Sequence, residues 1–97
     1  MNIEHITPAN GNVFADIGFP AEEAANLLIR AQLMSELTDI LKARFPTQTA
    51  AAGALDITQT RVSDLYRGKI ERFTVDMLIN LLARVGQCVE VHTRAAA

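Results

Sequence analysis

Residues 47–68, TQTAAAGALDITQTRVSDLYRG, give the clearest indication of how this chain folds. Thr47 follows a proline and suits the N-cap of a helix, because its hydroxyl can accept an unpaired backbone N–H. A first short helix is therefore expected over Gln48 to Leu55. Its residues are almost all small, which favours a close approach of another helix. Gly53, which is costly inside a helix, suggests the same close packing.

The second half of the stretch predicts a turn and another helix. Asp56 breaks the helical pattern and tolerates the left-handed backbone of a tight turn, although less well than glycine does. Thr58 suits the N-cap of a helix over 59–66, and Gly68 stands where a glycine would end it. Two short helices joined in this way form a helix-turn-helix, which lays its second helix in the major groove of DNA.

The polar residues of the second helix are suited to reading DNA bases. Helical spacing turns Val62 and Leu65 inward and leaves a polar outer face, the alternative being an ordinary solvated surface. Glutamine, arginine and aspartate can pair with adenine, guanine and cytosine respectively. We therefore expect base contacts from Gln59, Thr60, Arg61, Ser63 and Asp64, with the arginine at the edge of the outer face. Phosphate contacts are expected from Gln48, Thr58, Arg67, Lys69 and Arg72.

Charge is distributed unevenly along the chain, although the total is small. The formal net charge of −2 and the pI of about 5.6 argue against a general nucleic-acid coat. From Met1 to Leu41 six acids and one base give −5, whereas eight bases and five acids from Lys42 onward give +3. The base-rich part contains the helix pair, so its local charge favours DNA. The acidic part either suits a basic partner or is an ordinary solvated helix face.

The other residues of 21–97 are predicted to form helices that pack against the helix pair within the same domain. A helix is expected from Ala21 to about Arg44, either as one piece or with a break near Gln32 to Ser35. A further helix over Val75 to Val85 is nearly all apolar, which predicts burial by its own chain or by a second one. Phe73, just before it, is expected to fill the core.

Residues 1–20 read as a partly irregular N-terminal extension. Ile3 to Ile6 is compatible with a short strand or with disorder. Phe14 and Phe19 belong to an apolar cluster without a clear period, which either plugs the core or forms a patch that grips a partner.

Residues 87–93 alternate in a way that predicts a β-strand, with Val89 and Val91 on one face. A lone strand leaves backbone groups unpaired, so the same strand of a second copy is the best partner. We therefore expect a homodimer through Val89 and Val91. Its two reading helices would face successive major-groove turns of a palindromic site, ~34 Å apart.

The sequence shows no pattern typical of catalysis or metal binding. His5, Cys88 and His92 lack the spacing of metal ligands, and no nucleophile pairs with a base. We expect no enzyme activity, no cofactor and no metal. A single cysteine excludes an intrachain disulfide and fits a reducing cytoplasm, and no signal peptide or membrane span is visible.

The helix pair resembles the helix-turn-helix of Cro/XRE-type regulators, whose pattern is T-Q-x-x-A-A-x-x-L-G-I-S-Q-x-x-V-S-x-x-x-x-G. The matching residues are Thr47, Gln48, Ala51, Ala52, Leu55, Ile57, Thr58, Gln59, Val62, Ser63 and Gly68. Asp56 replaces the usual turn glycine, and Thr58 replaces serine. A wider stretch, roughly 13 to 92, resembles small XRE proteins, many of which are antitoxins of HigA type encoded beside a ribonuclease toxin.

The resemblance implies a mainly all-α domain of five or so helices, similar to lambda repressor, to which the alternation over 87–93 adds a C-terminal strand used in dimerisation. It also implies a dimeric autorepressor that binds double-stranded operator DNA and neutralises a small basic ribonuclease-like toxin. The alternative is a stand-alone XRE-type regulator with no toxin partner. A third, weaker alternative is a protein-interaction module that no longer binds DNA.

Overall fold

The computed structural model describes residues 11–95, which form five α-helices and one 3₁₀ turn. The elements in chain order are α1 (Val13–Asp16), α2 (Ala21–Arg44), α3 (Gln48–Leu55), α4 (Gln59–Tyr66), the 3₁₀ turn (Ile70–Arg72) and α5 (Val75–Arg84). Over this range no helix combines the length and apolar character needed to cross a lipid bilayer.

Helix α2 contacts α1, α4, the 3₁₀ turn and α5. It begins after Pro20 with two acidic residues in its first turn, and it ends with two basic residues in its last, as the helix dipole favours. The helix is continuous, so the break that the sequence left open near 32–35 does not occur. Its most extensive contacts are with α5 and α1, and α3 packs on α4 and α5. The prediction of one long helix is confirmed.

The core lies between α2, the α3–α4 pair and α5. Phe73, which precedes α5, is 1% exposed and fills the centre as expected. The other fully buried large side chains are aliphatic and come from all four helices: Leu37, Leu41, Leu55, Val62, Leu65 and Leu78. Burial of such side chains is worth about 1.5–3 kcal/mol each, so the core fixes how α3 and α4 sit on the long helix.

Three arginines bind carbonyl groups at the ends of neighbouring elements. Arg84 donates from Nη1 to the Leu55 carbonyl at the end of α3, at 2.6 Å. Arg44 donates from Nη1 to the Val85 carbonyl, also at 2.6 Å. Carbonyls at helix ends have no partner inside their own helix, so these contacts satisfy them and join the elements.

Arg30 makes a third contact of the same kind. Its Nη1 lies 3.3 Å from the Ile70 carbonyl and 3.4 Å from the Phe73 carbonyl, and its Nε donates to Asn26 at 2.7 Å. The segment between α4 and α5 is thereby tied to the middle of α2.

The short helix α1 leaves much of its apolar cluster in solvent. Asn12 caps α1 and donates from Nδ2 to the Ala24 carbonyl at 3.0 Å, which docks α1 on α2. Phe14 and Phe19 make an edge-to-face contact, with ring centroids 6.2 Å apart. Ile17 is nevertheless 69% exposed, so the cluster is not a simple core plug. The segment Ile3 to Ile6 lies outside the described residues.

The prediction of a C-terminal β-strand is wrong. Residues 87–95 follow α5 without regular secondary structure, and residues 11–95 contain no strand at all. Val89 packs against the core, whereas Val91 is 76% exposed, so the alternation does not produce a buried face. A strand needs a neighbour for its backbone groups, and the described chain offers this segment no second strand to pair with. The described fold is all-α.

The expectation of close packing at Gly53 is also wrong. Gly53 is exposed, and a Cβ added there would meet no atom within 4 Å. The alanines before it do serve close packing, because Ala51 and Ala52 are both buried.

Candidate nucleic-acid interface

Local contacts shape the turn between α3 and α4 as the sequence predicts. The hydroxyl of Thr47 accepts the Ala50 N–H at 3.1 Å, and that of Thr58 accepts the Arg61 N–H at 3.2 Å. Asp56 adopts the left-handed conformation, with φ 57 and ψ 45. The backbone N–H of Ile57 then bonds the Ala52 carbonyl at 3.1 Å, which closes the end of α3.

The first residues of the two helices are joined by their side chains. Gln59 donates from Nε2 to Oε1 of Gln48 at 2.9 Å. The contact leaves the carbonyl oxygen of Gln59 and one N–H of its amide for other partners. It therefore orients an exposed side chain at the start of α4 without using up its hydrogen-bonding capacity.

The outer face of α4 consists of Gln59, Thr60, Ser63 and Arg67. Each residue of an α-helix turns by about 100°, which places these four on an arc of about 100°. Gln59, Thr60 and Arg67 are exposed, and Ser63 is half-buried. Arg67, expected as a phosphate contact, therefore shares the face that carries the candidate base contacts.

Asp64 does not lie on that outer face, so its expected placement is wrong. Its residue is 6% exposed, and its carboxylate lies 3.6 Å from Lys69 Nζ and 3.7 Å from Arg72 Nη1. The backbone N–H of Lys69 also bonds the Asp64 carbonyl at 3.0 Å. The chain after Gly68 folds back over Asp64 and covers it. Asp64 holds two cations beside the outer face instead of offering its carboxylate to a base.

Lys69 and Arg72 keep part of their side chains in solvent. Their exposed fractions are 35% and 54%. Since one carboxylate faces two cations, these three side chains together carry a formal charge of +1, and the exposed Glu71 lies between the two cations in the sequence. The N–H donors that do not face Asp64 are of the kind that binds phosphate.

Arg61 does not lie at the edge of the outer face either. It is half-buried, its guanidinium lies 4.8 Å above the Phe73 ring, and its Nη2 is 3.8 Å from the Met77 sulfur. Two residues after Gln59, the helix has turned by about 200°, so Arg61 points to the opposite side. Helical spacing alone could have shown this. The aromatic partner could not be seen in the sequence.

Lys42 and Tyr66 form a contact that sequence reasoning missed. The Lys42 Nζ lies 5.1 Å from the centroid of the Tyr66 ring, which joins the end of α2 to the end of α4. Tyr66 is half-buried, and burial raises the pKa of its phenol. Lys42 reads in the sequence only as a basic residue in the last turn of a helix, so nothing there indicates its aromatic partner.

Comparison with known proteins agrees with this geometry. A protein family described as a helix-turn-helix domain matches residues 13–94. A solved structure presented as a candidate XRE family transcriptional regulator shares 35% identity and a TM-score of 0.68, over 75% of this chain and 82% of that one. The comparison with curated proteins gives no match. The chain thus belongs to the Cro/XRE-type helix-turn-helix family and is a DNA-binding transcriptional regulator.

Proposed function

We propose that the chain represses transcription by reading a palindromic operator in its own promoter with the outer face of α4. The observation that carries this proposal is the exposure of Gln59, Thr60 and Arg67 on one side of a helix capped and anchored at its start. Glutamine and arginine can each make two hydrogen bonds to one base, with adenine and guanine respectively. These side chains, with Ser63, are the base contacts of the proposal.

Phosphate contacts of the proposed complex come from both sides of the turn. Gln48 and Thr58 stand at the starts of α3 and α4, where the helix dipoles favour anions. Lys69 and Arg72 follow the end of α4 and carry positive charge. Contacts of this kind fix the register of the helix in the groove and carry no sequence information.

We also infer that two copies bind together. The eight residues of α4 can read only part of a palindrome, so a second copy is needed for the other half-site. An open groove of about 1080 Å³ runs between α2 and the segment 87–92, and Ile29 and Val91 expose apolar surface along it. Burial of that surface by a second copy would favour a dimer.

The proposal extends to an antitoxin role. Asp16, Glu22 and Glu23 are exposed on α1 and at the start of α2, close in sequence to the exposed apolar side chains of Ile17 and Phe19. An acidic surface with apolar anchors suits a small basic ribonuclease-like toxin. The second candidate function is a stand-alone regulator, for which the DNA-reading face is sufficient.

Operator binding is tested by a mobility shift on the chain's own promoter. The Gln59→Ala variant should weaken binding to the promoter site by about 1–3 kcal/mol, while binding to unrelated DNA stays the same. Asn80→Ala, which removes an exposed amide from α5, serves as the control and should bind as the unmodified chain does. Equal affinity of the unmodified chain for promoter and unrelated DNA would refute the proposal.

The antitoxin role is tested by co-expression with the neighbouring gene. A small basic ribonuclease-like protein that co-purifies with this chain and loses its activity in the complex would support it. A chain that binds its promoter but forms no such complex would be the stand-alone regulator. The two measurements are independent, so the DNA-binding proposal survives the failure of the antitoxin proposal.

A further inference from the structure

We propose that Lys42, held over the ring of Tyr66, is a phosphate-binding site on α2 that contacts the DNA strand opposite to the one met by Lys69 and Arg72. The inference rests on DNA binding by α4. It extends the interface to the long helix, outside the helix-turn-helix.

The argument begins with the order of residues around α4. At about 100° per residue, Tyr66 precedes Gln59 by about 20°, and Asp64 follows Thr60 by about 40°. The arc from Tyr66 to Asp64 therefore spans about 160° and contains the whole outer face. Lys42 lies at its Tyr66 border, and Lys69 and Arg72 lie at its Asp64 border.

The two borders correspond to the two sides of a major groove. The groove is ≈ 12 Å wide, and a helix with its side chains is about 10–12 Å across, so an inserted helix fills it. A phosphate backbone then runs along each flank of the helix. Cations fixed at the two borders of the outer face therefore meet different strands, and Lys42 supplies the charge on the border that the helix-turn-helix itself leaves without a basic residue.

The contact with Tyr66 prepares Lys42 for this role. A lysine side chain loses conformational entropy when it is immobilised. Because the ring already restrains the ammonium group, less conformational entropy remains to be lost when Lys42 binds DNA. The contact uses one face of the ammonium group and leaves other N–H donors for a phosphate, and Lys42 is itself exposed.

The test compares the salt dependence of promoter binding for matched variants. Loss of one phosphate contact lowers the slope of log K against log salt by about 0.9, so Lys42→Met should do so once per bound copy. Lys42→Arg keeps the charge and the contact with the ring, and should restore the slope. Ala25→Glu makes the same change in net charge at an exposed site about 25 Å along α2, and should leave the slope unchanged.

The outcomes separate this inference from the proposed function. If the unmodified chain shows no preference for its promoter, the DNA-reading proposal itself fails. If it binds and Lys42→Met keeps the full slope, only the site on Lys42 is refuted. If Ala25→Glu lowers the slope as much as Lys42→Met, the effect is one of total charge and the inference is again refuted. Tyr66→Phe keeps the ring and should keep most of the slope, and thermal unfolding of each variant verifies that it is folded.

Discussion

Asp64 is the residue that sets the two cations after α4 in place. Its buried carboxylate lies between Lys69 and Arg72, and no other described acid is paired with either of them. Removal of its charge would leave two cations facing each other beside a buried polar group. The stability of this corner therefore depends on a residue that, in the sequence, reads as a base contact.

Asp64→Asn should lower the free energy of unfolding by about 1–3 kcal/mol, because a buried group loses its charged partners. Urea denaturation measures this, with the exposed Glu36→Gln as the control that should change little. The base preference of the variant on a set of mutated operators should stay the same. An altered preference without loss of stability would mean that the carboxylate reads a base after all.

Tyr66 offers a direct test of burial at the end of α4. It is the only tyrosine, and the chain has no tryptophan, so phenolate absorbance reports on this residue alone. Burial raises its pKa above the ordinary value of 10.0. The titration midpoint should therefore be higher in the folded chain than in urea, and equal midpoints would contradict the burial.

The sign of the linked stability change follows from that shift. A raised pKa in the folded state means that the unfolded chain ionises first as pH increases. The contribution of the neutral phenol is complete below about pH 10 and is lost as pH rises through the folded value. From pH 7 to 9, ionisation of Tyr66 should therefore not change the free energy of unfolding. The free energy of unfolding of Tyr66→Phe should have the same pH dependence as that of the unmodified chain over that range.

At the scale of the elements, contacts between residues close in the sequence set where α3, α4 and α5 begin. Thr47, Thr58 and Thr74 each accept a backbone N–H three residues later, which fixes the starts of α3, α4 and α5. Asp56 ends α3 in a left-handed conformation. Gly68 adopts a left-handed conformation two residues after the end of α4. The orientation of the outer face depends on these contacts, because they determine where α4 begins.

Gly53 and Gly68 form a matched pair for testing this account. A Cβ would meet no atom within 4 Å at either site, but Gly68 has φ +71, which strains any other residue, whereas Gly53 lies in a helix. Gly53→Ala should raise the free energy of unfolding by roughly 0.5–1 kcal/mol. Gly68→Ala should lower it by about 1–2 kcal/mol.

Chemical denaturation of both variants measures the pair. Effects of the same sign would contradict the conformational explanation, because the added methyl group is identical. A Gly53→Ala chain that is more stable but binds its promoter less well would indicate that DNA or a partner approaches that position closely.

At the scale of the whole molecule, the exposed large apolar side chains of residues 11–95 lie at two places, neither of them on the outer face of α4. One is the α1 cluster with Ile17, and the other is the groove beside Val91. Charge is also unevenly distributed, because most acids lie in the first 41 residues and most bases lie after them. This division is consistent with the proposal that DNA and protein partners bind different surfaces of the chain.

Val91→Asp tests whether the groove carries the dimer. In the dimer the new aspartate would be buried and would lose its contact with water, which is unfavourable for a charged group. The variant should therefore shift from dimer to monomer in sedimentation experiments. Binding to a full palindrome should weaken, while binding to a single half-site stays the same. Asn80→Asp adds the same charge at an exposed residue of α5 that does not line the groove, and this control should remain dimeric. A dimeric Val91→Asp chain would place the interface elsewhere.

Sequence patterns alone predict α2 to α5 and the turn between α3 and α4, whereas α1 is not predicted. The caps, the left-handed turn residue and the spacing of Val62 and Leu65 act within a few residues of one another, so their effects can be read locally. Which polar side chains of α4 remain free depends instead on contacts with residues distant in the sequence. Asp64 and Arg61 are taken up by cations and a ring that the fold brings to them.

The C-terminal segment shows the same division most clearly. Its alternation of apolar and polar residues is real, but a strand exists only where another strand supplies hydrogen bonds, and residues 11–95 supply none. The pairing of Lys42 with Tyr66 likewise depends on the packing of α2 against α4, which no local pattern encodes. Local preferences set the elements, and the contacts between distant residues set what each surface can bind.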